Sequence, residues 1–157
     1  MSAPEALARV VRGLHHVAIV VPSIQVARTT YIDVLGMTCG EVEFVADQMV
    51  RVLVCWAGEQ RIELVEPAAL DSPVSAFLEK RGGGLHHLAY RVDDVAAAIA
   101  ALVASGVRMI DSAPRPGAHG TCIAFVHPKS TGGVLTELVE DPADHGPLAP
   151  HVPRDPA

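Results

Sequence analysis

The chain has 157 residues, enough for one domain or for two half-domains that share a core. Half of the residues are apolar and 19% are charged, which supports a packed interior and excludes general disorder. A net charge of −6 excludes a non-specific nucleic-acid surface, and no run approaches the roughly 20 apolar residues of a membrane span.

Residues 1–12 read as a short leader without the apolar run of a signal peptide. Leu14 to Val21 is a β-like run, followed by Ser23 as cap of a helix carrying Ile24, Ala27, Tyr31 and Val34 and stopped by Gly36. Strands are then expected over Met37 to Ala46, Val50 to Trp56 and Arg61 to Val65. A short helix near Val74 to Lys80 and the run Gly82-Gly83-Gly84 lead to a second β-like run, Leu85 to Val92. Asp93 or Asp94 caps the next helix, which carries Val95, Ala98, Ile99, Leu102 and Val103 and stops at Gly106. Further strands are expected over Val107 to Ile110, Cys122 to Val126 and Val134 to Val139. From Asp141 onward five prolines predict an extended tail, which removes His145 and His151 from any site. Cys39, Cys55 and Cys122 are odd in number, widely spaced and without C-x-x-C. They predict neither a disulfide framework nor a zinc cluster, and a reducing cytoplasm as the location.

The order is β-α-β-β-β, twice, and the sequence repeats with it. Gly13-Leu14-His15-His16-Val17-Ala18 recurs as Gly84-Leu85-His86-His87-Leu88-Ala89, and Glu63-Leu64-Val65-Glu66 recurs as Glu137-Leu138-Val139-Glu140. The offset is about 71 to 74 residues, as an internal duplication produces. The chain therefore divides into the leader, a first module over 13–67, a linker over 68–83, a second module over 84–140 and a tail over 141–157.

Side chains alternate faces along a strand. His15 shares a face with Val17, Ile19 and Val21, bulky and branched where a helix packs, whereas His16 shares the other with Ala18, which leaves room for a ligand. The same reasoning selects His87, beside Ala89, over His86. Glu63 and Glu137 lie mid-strand among apolar neighbours, and Glu66 and Glu140 at the periphery. A mid-strand charge is costly unless it is paired or holds a metal. His16, Glu63, His87 and Glu137, brought together by a pseudo-two-fold relationship, make a four-ligand set for a divalent metal. Tyr31, Trp56, Phe77 and Phe125 read as core.

The stretches Leu14 to Pro22, Arg61 to Pro67, Asp71-Ser72-Pro73, Gly83 to Ala89, Gly117-Ala118-His119-Gly120 and His127 to Leu138 together resemble the methylmalonyl-CoA epimerases, members of the vicinal-oxygen-chelate (glyoxalase-like) superfamily. The resemblance runs from about Gly13 to Glu140. It implies an α+β fold in which two paired βαβββ modules form a curved eight-stranded mixed sheet around a metal. It also matches His16, Glu63, His87 and Glu137 to the family's metal ligands. Some relatives carry glutamine where Glu63 stands, and some carry a catalytic glutamate where this chain has Val52.

The implied reaction interconverts (2R)- and (2S)-methylmalonyl-CoA by removing the C2 proton through a metal-stabilised enolate. Two acid/base groups must flank C2, and Glu137 and Glu63 supply them. Co, Mn, Ni, Zn and Fe all suit the donor set. Acyl-CoA is the expected partner, with a homodimer and with neither nucleic acid nor membrane. Substrate contacts are expected from His119, Lys129 and Arg115, with Lys80 and Arg81 as further candidates for CoA phosphates. The competing readings are a glyoxalase (a lyase), a ring-cleaving dioxygenase, and a metal-free ligand-binding or resistance module. The Gly-Ala-His-Gly segment disfavours the first, Glu63 the second, and the four-ligand set the third.

Overall fold

Residues 10–143 are described by a computed structural model of the chain. Residues 1–9 of the leader and 144–157 of the tail, with His145 and His151, lie outside the described residues.

Each half begins with a long strand, β1 (Gly13–Val20) and β6 (Gly84–Arg91), separated by β2 (Thr38–Cys39), β3 (Glu43–Val45), β4 (Val50–Ala57) and β5 (Gln60–Pro67). The second half completes itself with β7 (Arg115–Pro116), β8 (Cys122–Val126) and β9 (Thr136–Glu140). All join one mixed sheet in the order β2-β4-β5-β1-β6-β9-β8-β7, with β3 also on β4. Because β2 and β3 pair with opposite ends of β4, they are two pieces of one edge strand, and the curved sheet has the eight positions expected.

The duplication is visible in the pairing. β1 runs parallel to β5 and β6 parallel to β9, while β1 and β6 meet antiparallel at the centre. The centre is therefore where the two copies of the histidine strand lie side by side.

Among the described residues three α-helices punctuate the sheet. α1 (Ile24–Arg28) continues as a wider π-turn over Thr29–Val34, and Ser23 caps it by accepting from the Val26 N–H at 3.2 Å. α2 (Pro73–Arg81) ends at Gly82, whose φ of 75° is the left-handed conformation that suits glycine. Of the two candidate caps of α3 (Val95–Ala104), Asp94 serves, accepting from the Ala97 N–H at 2.9 Å. α1 covers one face of the first half through Ile24, Leu53 and Leu64, and α3 covers the second through Val95, Ile99 and Leu138. Leu53 and Leu64 are fully buried, and such side chains contribute about 1.5–3 kcal/mol each. The opposite, concave face of the sheet is left for the polar residues.

Three expectations need correction. The strand over residues 37–46 is broken into β2 and β3. Val107 to Ile110 makes a single bridge, Met109 to Val126, and not a strand. There the Ile110 and Asp111 amides both bond to the Phe125 carbonyl, so the chain turns away and the edge strand forms later, at β7. Finally, Cys39 and Cys55, directly opposite in the β2–β4 pair, are joined by a disulfide, and Cys122 is the free cysteine among the described residues. Facing strand positions brought together what linear spacing had kept apart.

Candidate metal centre and active site

The register arranges the polar residues in two matched rows across the central strands. Glu63, Ala18 and His87 form one row, on β5, β1 and β6. His16, Ala89 and Glu137 form the other, on β1, β6 and β9. In each row an alanine with no exposed surface separates the two polar side chains. The small methyl groups leave open volume between the rows, and the four longer side chains lean into it.

His16, His87 and Glu137 each offer an atom within 4.8 Å of the others. The two imidazole Nε2 atoms are 3.2 Å apart, and Glu137 Oε2 is 3.1 Å from His87 Nε2. Glu137 Oε1 lies 3.9 Å from His16 Nε2. Glu63 enters through His16, its Oε2 in direct contact with Nε2. All four side chains are buried.

The electrostatics follow from that burial. Desolvation opposes a charge on His16, but the charge and hydrogen bond of Glu63, with the charge of Glu137, outweigh it and raise the imidazole above its ordinary value. Desolvation likewise works to raise the Glu63 carboxyl, yet His16 holds it at about 2. Two buried carboxylates thus demand positive charge at the point where the imidazole Nε2 atoms converge. A divalent cation answers that demand with the same donors, and a mixed imidazole–carboxylate set is suitable for one.

The histidine doublets depart from simple alternation. The β1–β6 register steps over His15, between Leu14 and His16, and over His86, between His87 and Leu85. Each is a bulge, which turns the stepped-over side chain toward its neighbour. His15 Nδ1 lies 2.8 Å from His16 Nδ1, and His86 Nδ1 lies 2.8 Å from His87 Nδ1. His15 therefore does not share the packing face with Val17 and Ile19, as strict alternation predicts, but braces the site. Desolvation lowers His15 despite its hydrogen bond to Asp141, and desolvation with the neighbouring His87 lowers His86 to about 4.

A cavity of about 290 Å³ opens over His15, His16, Arg61 and His119, and a narrower one lies between Val52, His87 and Phe125. Both are lined by Glu63, Glu137 and Ala118, so the two carboxylates stand where the cavities meet. Val52 faces the narrower cavity. Phe125 and Phe77, read as core, instead stand edge-on against His87 and His86. Trp56 lines the larger cavity with Arg61 over its ring.

The expected substrate contacts separate. His119 lines the larger cavity, held left-handed at φ 58° while its N–H donates to Glu43 Oε2 at 2.8 Å. A non-glycine residue in that region costs about 1–2 kcal/mol, and the Glu43 bond offsets part of it. Gly117 is fixed by crowding, because a side chain there would strike Thr121 and Ile123. Arg115 is engaged by Asp47 at 2.9 Å and Asp111 at 3.1 Å, which outweigh its desolvation and raise its already high pKa. Lys129 is exposed on the turn Pro128–Ser130, and Lys80 is exposed at the end of α2. Arg81 lies over the Phe77 ring. Sequence reasoning missed Asp141, assigned to the tail, whose Oδ2 sits 2.8 Å from His15 Nε2. Its five downstream prolines masked that anchoring role.

Residues 15–125 match the model of the Glyoxalase/Bleomycin resistance protein/Dioxygenase superfamily. The chain is 40% identical over 127 residues to an ethylmalonyl-CoA/methylmalonyl-CoA epimerase of Cereibacter sphaeroides, covering 80% of this chain and 95% of that one. The crystal structure of a methylmalonyl-CoA epimerase from Mycobacterium tuberculosis superposes with a TM-score of 0.78 at 39% identity, over 83% of this chain and 88% of the other. A Streptomyces coelicolor methylmalonyl-CoA epimerase variant, in complex with 2-nitronate-propionyl-CoA, superposes with a TM-score of 0.80 at 32% identity, over 87% and 99%.

Proposed function

This chain belongs to the methylmalonyl-CoA epimerases of the glyoxalase/bleomycin resistance protein/dioxygenase superfamily, and from that membership we propose how its own residues invert C2 of methylmalonyl-CoA. The observation that carries the reading is the convergence of His16, His87 and Glu137 from both halves within 4.8 Å, with Glu63 against His16.

These four side chains would hold a divalent cation. When bound, it supplies Lewis-acid stabilisation of the negative charge that develops on the thioester oxygen as C2 loses its proton. The protein's part is positional. The C2 carbon sits where the two cavities meet, between Glu137 and Glu63, so each face of the carbon meets one carboxylate. Glu137 engages His87 through Oε2, which leaves Oε1 to take the C2 proton. Glu63 engages His16 through Oε2; once it has taken up a proton from solvent it delivers that proton to the opposite face, and Glu137 releases the abstracted proton to solvent, so the carbon is inverted and no proton is gained or lost overall. Running backward, Glu63 abstracts and Glu137 returns. His16 holds the Glu63 carboxyl at about 2, below the ordinary carboxylate range, so this contact must relax before Glu63 accepts a proton.

Val52 supplies no carboxylate, so the pair that lines both cavities serves as both proton carriers. His119 contacts the acyl-CoA in the larger cavity, and Lys129 reaches the CoA phosphates. Arg115, committed to Asp47 and Asp111, shapes the loop that carries His119. We extend the reading to a homodimer; the Cys39–Cys55 bond removes the cysteine argument for a reducing cytoplasm. No described helix is long and apolar enough to cross a membrane. Sedimentation at twice the chain mass tests the dimer.

The deciding experiment follows solvent deuterium into C2 of methylmalonyl-CoA, with and without a chelator. Exchange is expected with cation and not without it. Exchange that survives full demetallation sinks the assignment of these four residues as a cation site.

A further inference from the structure

A histidine ligates through Nε2 only when its proton is on Nδ1, and the partner of Nδ1 decides that tautomer. For His16 the partner is built into the fold. Asp141 Oδ2 lies 2.8 Å from His15 Nε2, both side chains more than 90% buried. A carboxylate accepts and does not donate, so the His15 proton sits on Nε2. His15 Nδ1 is then a lone pair, and its 2.8 Å contact with His16 Nδ1 requires the proton on the His16 side. His16 Nε2 is left to face Glu63, His87 and Glu137, the point where a bound cation would take the place of a proton. Arg61 stands 3.9 Å from the same Asp141 oxygen and adds positive charge beside the carboxylate.

We propose that Asp141 and His15 form a positioning relay that fixes His16 as the Nδ1–H tautomer and thereby sets the first-half ligand for a divalent cation. The relay rests on the cation-site reading above and adds two residues to it, one from beyond the last strand. The bulge at His15 is the device that makes it possible, because an unbroken strand would turn His15 to the other face. In the second half His86 meets His87 in the same way, but its ring stands against Phe77, and no carboxylate bonds to it among the described residues. Each half holds its ligand through a histidine, and the first half adds a charged anchor.

The test uses zinc and the full-length chain. Zinc affinity, read by competition with a chromophoric chelator, is expected to weaken ten- to a hundredfold in Asp141→Ala. Asp141→Asn, whose amide oxygen still accepts from His15 Nε2–H, should recover most of that loss. Long-range proton–nitrogen NMR of the zinc-loaded wild type should show His15 protonated on Nε2 and His16 on Nδ1. A merely structural pair would shift the melting temperature and leave zinc affinity and both tautomers unchanged, which overturns the relay. If Asp141→Ala does not fold, the wild-type spectrum decides, and His15 protonated on Nδ1 overturns the relay while the cation site stands. A wild-type chain that takes up no zinc overturns the site and the relay together.

Discussion

The two histidine doublets are copies of one motif, yet they have been supported differently. In the first, His15 is tied to Asp141 and lies near Arg61, so its ring is held by charge. In the second, His86 stands against the Phe77 ring and is held by apolar contact, which, with the neighbouring His87, drives its pKa to about 4. The inner members, His16 and His87, are nevertheless both buried, with their Nε2 atoms 3.2 Å apart. Duplication has kept the placement of the inner histidine and left the means of bracing it free to diverge.

The sharpest way to break that equivalence is to remove the inner histidines one at a time. His16→Ala and His87→Ala should each abolish tight cation binding and reduce turnover about a thousandfold or more, within the range that loss of a positioned acid–base and electrostatic site produces. Equal losses support a shared centre. A variant that keeps zinc affinity and turnover within twofold of wild type would show that its half supplies no ligand.

Next in size is the pair of carboxylates. If Glu137 and Glu63 serve opposite faces of C2, their glutamine variants should differ in kind. Glu63→Gln keeps an oxygen beside His16 but cannot carry a proton, so inversion should fall about a hundredfold. Glu137 would still abstract from one epimer, and that epimer should exchange its C2 hydrogen with solvent deuterium without inverting. Glu137→Gln should show the same uncoupling for the other epimer. Full inversion by Glu63→Gln reduces Glu63 to a ligand and requires a different second proton carrier.

How much of this was legible in the sequence depends on what each residue's neighbours are. His16 and His87 are identifiable because an alanine two residues on signals a face with open volume, and the register shows Ala18 and Ala89 as the spacers between the four polar side chains. Glu63 and Glu137 were identifiable because a mid-strand charge needs a partner. The bulges were not legible, since the doublet reads the same whether or not the register steps over its first residue. Asp141 was hidden by the prolines that follow it, and it lies in the chain only one residue beyond β9. The Cys39–Cys55 bond needed the pairing of β2 with β4, which linear spacing does not reveal. The resemblance to a family supplied the sheet architecture, but it did not supply these three features.

The smallest expected effect concerns the outer histidines and stability in acid. Burial holds the folded-state pKa of His86 at about 4, below an unfolded value near 6.5, so the native state binds fewer protons than the unfolded chain across that window. Its contribution is therefore flat above about pH 6.5 and turns destabilising as the pH falls toward 4. His15 is lowered in the same direction, but the Asp141 hydrogen bond opposes the effect of burial there, so its share of the acid loss is smaller. In metal-free protein, His86→Phe keeps the contact with Phe77 and removes the titration. It should narrow the drop in melting temperature between pH 7 and pH 5 by about 5 °C, given the scale of a few degrees per kcal/mol for a chain of this size. The corresponding His15→Phe change should narrow it less. Were the two substitutions to flatten the acid limb equally, the charged anchor in the first half would have no energetic consequence for its histidine, and the difference between the doublets would be one of arrangement alone.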